Sequence, residues 1–275
     1  MEVWDFVSPV LEAIAGLIGG LAGGNPIKAA FLLSLYAFAM TSLGGFLVLA
    51  ARTHGGRLDV LLDVGMGFSS GIMIVASFTS LLLPALEISG PGIVITSFIV
   101  GAIAVYIINE ILPHEHLIKG YEGPPSFRRK VKAAWLVATA IIIHNLPEGM
   151  SIGAAASYAI SEGLAVALAI GTQDFPEGLA VSLPVFAASG SLYLALLVAM
   201  LSGFSEVVAA TIVAALIGYS PGLLASALAF AAGAMVFVVS YEALPESHRS
   251  GNEKLATVGF FAGFIIMLYL DTVLG

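Results

Sequence analysis

Apolar residues run without alternation for twenty or more positions at a time over residues 27 to 51, 59 to 87, 91 to 113, 133 to 157, 162 to 188, 191 to 217, 221 to 244 and 254 to 274. A helix rises about 1.5 Å per residue, so each run can span about 30 Å of hydrocarbon, and the pattern predicts eight transmembrane helices. A ninth run, residues 6 to 23, opens the chain and carries Pro9, Glu12 and, before Asn25, five glycines. The expectation there is a retained extra helix and not a cleaved signal, because the leading residues include Glu2 and Asp5 where a signal would be basic. Barrel strands would alternate apolar and polar residues over about ten positions; these continuous runs exclude that architecture.

Composition agrees with the pattern. Of 275 residues, 59% are hydrophobic and 10% charged, against roughly a quarter charged in soluble domains. The expected class is an all-α integral membrane protein, one transmembrane domain over residues 1 to 275, multi-pass in the plasma (inner) membrane. A net charge of -8 leaves no basic footprint, so nucleic acid is not an expected partner. The absence of cysteine excludes disulfides and thiolate metal sites.

Charge also orients the chain. Arg52 and Arg57 follow the first of the eight runs, Lys119, Arg128, Arg129, Lys130 and Lys132 the third, and Arg249 and Lys254 the seventh, so nine of the ten cations share a face and Lys28 sits opposite. Lysine and arginine in short loops mark the cytoplasmic side, which places the C-terminus outside. The loop at 115 to 132, with Gly120, Gly123, Pro124 and Pro125, reads as a mobile cytoplasmic connector.

The informative residues interrupt the fourth and fifth runs. His144-Asn145-Leu146-Pro147-Glu148-Gly149 and Gln173-Asp174-Phe175-Pro176-Glu177-Gly178 repeat one pattern, 29 positions apart, on helices that a short turn makes antiparallel. Proline-interrupted repeats at matching depth point to a transport site near the bilayer midplane. His144 and Glu148, like Gln173 and Glu177, are spaced i, i+4 and share a helix face. Pro147 and Pro176 each delete a helix hydrogen bond and free the carbonyls of Ile143 and Thr172. Glu206 adds a carboxylate from the middle of the next run. Four acids at membrane depth, Glu148, Asp174, Glu177 and Glu206, would together cost about 10 kcal/mol or more at roughly 2.5 to 3.5 each. No lysine or arginine lies in these helices, so protons or bound cations must meet the charge. Two divalent ions would balance it, and one imidazole with carboxylate and amide oxygens suits Zn²⁺, Fe²⁺, Mn²⁺ or Cd²⁺.

At these motifs the sequence resembles the ZIP family of divalent metal transporters, in particular its bacterial GufA-like branch, whose fourth and fifth helices carry HN-x-PEG and QD-x-PEG. The resemblance spans all eight runs. It implies an eight-helix core with inverted three-helix repeats enclosing a binuclear metal site. One ion would be held by His144, Glu148, Gln173 and Glu177 with Met73 nearby; the other by Asn145, Asp174 and Glu206, with Glu148 and Glu177 bridging. Ser80 resembles a polar position on the family's route to the site. Tyr241 and Asn109 stand where the family often has histidine and aspartate, which weakens the expectation of an exit site at either position.

Outside the centre, Glu87 and Asp271 end helices on the expected outer face, where they could attract an entering cation. On the inner face His114, His116, Glu242 and His248 are candidate exit ligands. The expected activity is inward carriage of a divalent transition metal, most readily zinc, by an elevator-like motion that the resemblance suggests. The expected partners are the transported ions Zn²⁺, Cd²⁺, Fe²⁺ or Mn²⁺ and the lipid bilayer, with a homodimer as an admissible assembly. Two other classes stay open. A membrane-embedded di-metal enzyme would also use bridging carboxylates, although the chain lacks the His-Glu-x-x-His and Glu-x-x-His patterns of such enzymes. A proton or sodium channel would not need His, Asn and Gln assembled with four acids.

Overall fold

The computed structural model describes residues 4–51, 58–116, 120–122 and 133–274. Among them the chain forms α1 (Trp4–Ala22), α2 (Pro26–Gly45) with a further helical turn at Val48–Ala51, and α3, built from Leu58–Ala76, Ser77–Leu82 and Leu83–Ile88. Then follow α4 (Pro91–Ile111), α5 (Ala133–Tyr158), α6 (Ile160–Ser189), α7 (Leu192–Tyr219), α8 (Pro221–Ser247) and α9 (Glu253–Leu274). By length and composition α2, Asp59–Ile88 of α3, α4, α7, α8 and α9 can each cross a membrane. The two that carry the polar repeats, α5 and α6, are 26 and 30 residues long. The protein is a multi-pass membrane protein whose bundle is built of helices.

Local chemistry sets the helix ends. At the start of α2 the Asn25 carboxamide oxygen accepts from the backbone of Ile27 at 2.9 Å and Lys28 at 3.3 Å, and Pro26 occupies the first helical position. A single extended residue, Ala159, separates α5 from α6. Gly190 closes α6 in the left-handed conformation, φ 66°. Between α4 and α5, residues His114–His116 (β1) pair antiparallel with Gly120–Glu122 (β2), so part of the segment expected as a plain connector is a short ladder. Of the orienting cations, Arg52, Arg57, Lys119, Arg128, Arg129, Lys130 and Lys132 lie outside the described residues.

The helices sort into two groups. One holds α2, α5, α6 and α7; in the other α3 packs along α9 and α4 along α8. The groups meet where α3 and α9 cross α6 and where α8 crosses α5. The core is built largely of alanine, among them Ala154, Ala165, Ala169, Ala210 and Ala232, which lets backbones approach closely; leucines and isoleucines such as Ile95, Ile99, Leu216 and Ile265 face outward.

Two helices change pitch where a proline follows. In α3 the stretch Ser77–Leu82 is π-helical and the Leu83 N–H reaches back to Phe78; in α8 Val239–Ala243 is π-helical and the Leu244 N–H reaches Val239. Pro84 and Pro245 come next in the chain, lack an N–H and would clash with the carbonyl four residues earlier, so the wider turn accommodates each ring. These turns contain Ser80 and Glu242, and both side chains are buried.

Candidate metal centre

The centre lies between α5, α6 and α7. Glu148, Asp174 and Glu206 are buried from solvent, as are Asn145 and Gln173; Glu177 is partly buried. Glu148, Asp174 and Glu177 each offer a carboxylate oxygen, and the three atoms lie within 4.8 Å of one another. Asn145 donates through Nδ2 to Glu206 Oε1 at 2.6 Å, and Gln173 donates through Nε2 to Glu148 Oε1 at 2.5 Å. Each amide spends an N–H on a carboxylate and leaves its own oxygen without a donor.

The consequence is a set of buried oxygens that accept no hydrogen bond: Asn145 Oδ1, Glu148 Oε2, Gln173 Oε1, both carboxylate oxygens of Asp174, Glu177 Oε2 and Glu206 Oε2. Buried polar atoms are ordinarily satisfied, and leaving one unpaired costs about 1–3 kcal/mol, more when it is charged. So many in one place fit a site whose partner is a cation. Oxygen donors in this number suit a divalent cation.

Close helix contact brings the acids together. A Cβ at Gly149, next to Glu148, would overlap the α7 backbone at Glu206; one at Gly178, next to Glu177, would overlap the α2 backbone at Thr41 and Gly45. The glycine that ends each polar repeat is therefore the point at which a neighbouring helix touches the site. Thr41, buried on α2 and beside the Glu206 carboxyl, belongs to this wall. A lone threonine in an apolar run carried no signal for it.

The other expected residues fall around this cluster. His144 turns its Nε2 to the Glu242 carboxylate from the π-helical turn of α8, and Glu242 in turn accepts from Asn109 Nδ2 of α4 at 2.5 Å. Met73 is buried in α3 with its sulfur 3.7 Å from the Ser69 hydroxyl. Toward the other end Ser80 donates to Asp271 at 2.6 Å and Tyr158 donates to Glu87 at 3.2 Å. Glu162, not singled out in the sequence, joins them: it is 9% exposed, its Oε2 accepts no hydrogen bond, and the charges of Asp271 and Glu87 act on it. In the first turn of α6 an acid reads simply as a partner of the helix dipole, which hid it. His248 is exposed and held locally, its Nδ1 2.8 Å from Ser247 Oγ and 3.0 Å from the Leu244 carbonyl. The side chains of His114 and His116 lie outside those described; their backbone forms β1, which packs against α5.

The signature described as "ZIP Zinc transporter" matches residues 113–271. The chain is 39% identical to zinc transporter ZIPB of Bordetella bronchiseptica, over 97% of this chain and 88% of that protein. The chain belongs to the ZIP family. Zinc transporter GufA of Myxococcus xanthus is 36% identical over 90% of this chain and 99% of its own length, and human zinc transporter ZIP11 is 31% identical over 93% and 100%. These relatives make this ZIP chain a member of a transporter family and not of an enzyme family, which removes the di-metal enzyme reading. The matched segment contains both polar repeats and Glu206.

Proposed function

We propose that this ZIP protein carries Zn²⁺ from the extracytoplasmic side into the cytoplasm through a binuclear site. One ion is held by His144, Glu148, Gln173 and Glu177, with Met73 nearby, and the second by Asn145, Asp174 and Glu206. Glu148 and Glu177 bridge the two. The observation that carries this reading is the set of donor-less oxygens, because each carboxylate and amide assigned as a ligand contributes at least one. Four carboxylates with no lysine or arginine anywhere from residue 133 to 248 match the charge of two divalent ions.

Movement of the ion follows an elevator-like displacement of α2, α5, α6 and α7 against α3, α4, α8 and α9. The grouping of helix contacts supports it, since each set packs chiefly on itself. Glu87, Glu162 and Asp271 form the outer approach and Glu242 lies on the inner one. Uptake into proteoliposomes at fixed free Zn²⁺, Cd²⁺, Fe²⁺ and Mn²⁺ tests the function: saturable zinc entry is expected, and zinc entry no faster than in protein-free vesicles would refute it.

Two expected outcomes belong here. Carboxylates must be unprotonated to ligate, so zinc competes with protons for the cluster. Adding Zn²⁺ to detergent-solubilised protein in weak buffer at pH 6 to 7 should release protons to a pH dye, and no release would count against a carboxylate cluster. Direction rests on topology. Single cysteines introduced as Ser126→Cys and Ser250→Cys should resist an impermeant maleimide in intact cells, while Gly275→Cys reacts. Labelling of position 126 with position 275 protected would reverse the orientation and the proposed direction.

A further inference from the structure

Serine and threonine in an apolar helix ordinarily give their hydroxyl to a carbonyl of the preceding turn. Thr41 of α2, Ser70 and Ser77 of α3 and Thr211 of α7 do so, and Ser182 of α6 bonds the Leu179 carbonyl. Ser202 of α7 does not. It is fully buried, and its Oγ has no hydrogen-bond partner. A buried hydroxyl left unpaired is costly, so what its surroundings offer it matters.

The packing of α5 on α7 locates this hydroxyl. A Cβ at Gly153 would meet the backbone of Ala210 and one at Gly149 the backbone of Glu206, so the two helices run side by side in one direction with a constant offset. One turn earlier on each helix, Ser202 lies level with Asn145. Ser202 and Glu206 are i, i+4 and share the face that touches α5. Helical side chains lean toward the N-terminus, so the Glu206 carboxylate, bonded to Asn145 Nδ2 at 2.6 Å, lies over Ser202. The oxygens left over from that bond, Asn145 Oδ1 and Glu206 Oε2, accept from no donor, the Ser202 hydroxyl included.

We propose that Ser202 is a further ligand, through Oγ, of the ion assigned to Asn145, Asp174 and Glu206. A hydroxyl that could donate to either neighbour and donates to neither, beside two acceptors equally unpaired, is accounted for by one cation that takes all three oxygens. As a neutral alcohol Ser202 adds an oxygen and no charge, so four carboxylates still balance two divalent ions. This ion then rests among oxygens alone, a harder set of donors than the imidazole-containing set of its neighbour. The proposal rests on the binuclear reading.

Calorimetric titration of the full-length protein in detergent with Zn²⁺ tests it, with Glu206→Ala as the reference that should lose this ion. Ser202→Ala should keep two ions and bind this one about 10-fold more weakly, the scale of one lost polar contact, with the His144 ion unchanged. Ser202→Cys gives the chain its one cysteine, and a thiolate prefers soft Cd²⁺. Added Cd²⁺ should then raise an ultraviolet cadmium–thiolate charge-transfer band. Thr211→Cys, about two and a half turns on and on the opposite face of α7, should lack that band. Wild-type affinity for both ions in Ser202→Ala, with Glu206→Ala one ion short, would overturn the proposal and leave the binuclear site standing. A missing band in Ser202→Cys, or an equal one in Thr211→Cys, would overturn it likewise. Two tightly held ions in Glu206→Ala would overturn the binuclear reading itself.

Discussion

Glu148→Ala and Glu177→Ala are each expected to abolish zinc uptake and to lower the bound metal by more than one ion per chain. The reason is position. Glu148 accepts from the Gln173 amide and offers an oxygen within 4.8 Å of oxygens of Asp174 and Glu177, and in the proposed assignment Glu177 is the second bridge. Removing one bridge strips a ligand from two sites at once. His144→Ala, by contrast, should cost a single ion. Zinc content after equilibrium dialysis distinguishes the cases; two tightly held ions in Glu177→Ala protein would sink the bridging assignment.

Gly149→Val is expected to have the second largest effect, although its side chain would ligate nothing. A Cβ there would overlap the main chain of α7 at Glu206, and backbone atoms cannot step aside as a flexible side chain could. Overpacking of this kind costs about 1–3 kcal/mol and sometimes more. Because α5 and α7 must separate, Glu206 and Asn145 move apart and their 2.6 Å hydrogen bond is lost. The variant should melt at lower temperature than wild type and, in whatever fraction folds, lose the ion assigned to Asn145, Asp174 and Glu206 before the other. Thermal unfolding together with zinc stoichiometry reads both effects. A variant with wild-type melting and two ions would show that this crossing does not set the site.

The helices were legible because lipid admits few alternatives: a run of about twenty apolar residues can satisfy its backbone only as a helix. The four acids were legible for the same reason, since each interrupts such a run and none has a cation nearby. What escaped was whatever depends on a partner far away in the chain. Glu242 lies 133 positions from Asn109, and nothing in Tyr241-Glu242-Ala243 announces that its carboxylate meets the middle of α5. Tyr158 finds Glu87 at a separation of 71. The π-helical turns before Pro84 and Pro245 also escaped, because a proline near a helix end reads as a boundary and not as a wider turn inside a continuing helix. Glu162 and Thr41 were invisible for a simpler reason: each is an ordinary residue for its place in a helix, and only the packing of α6 against α3 and of α2 against α7 gives it a neighbour in the site.

The proposed motion between the two helix groups would account for delivery, and it depends first on where the metal rests. Crystals of the wild-type protein soaked in Zn²⁺ and measured on both sides of the zinc absorption edge locate the ions without assumption about ligands. Two anomalous peaks are predicted between α5, α6 and α7, sharing Glu148 and Glu177, one reaching His144 and Gln173 and the other Asn145, Asp174 and Glu206. A single peak, or peaks that touch neither Glu148 nor Glu177, would contradict the binuclear site.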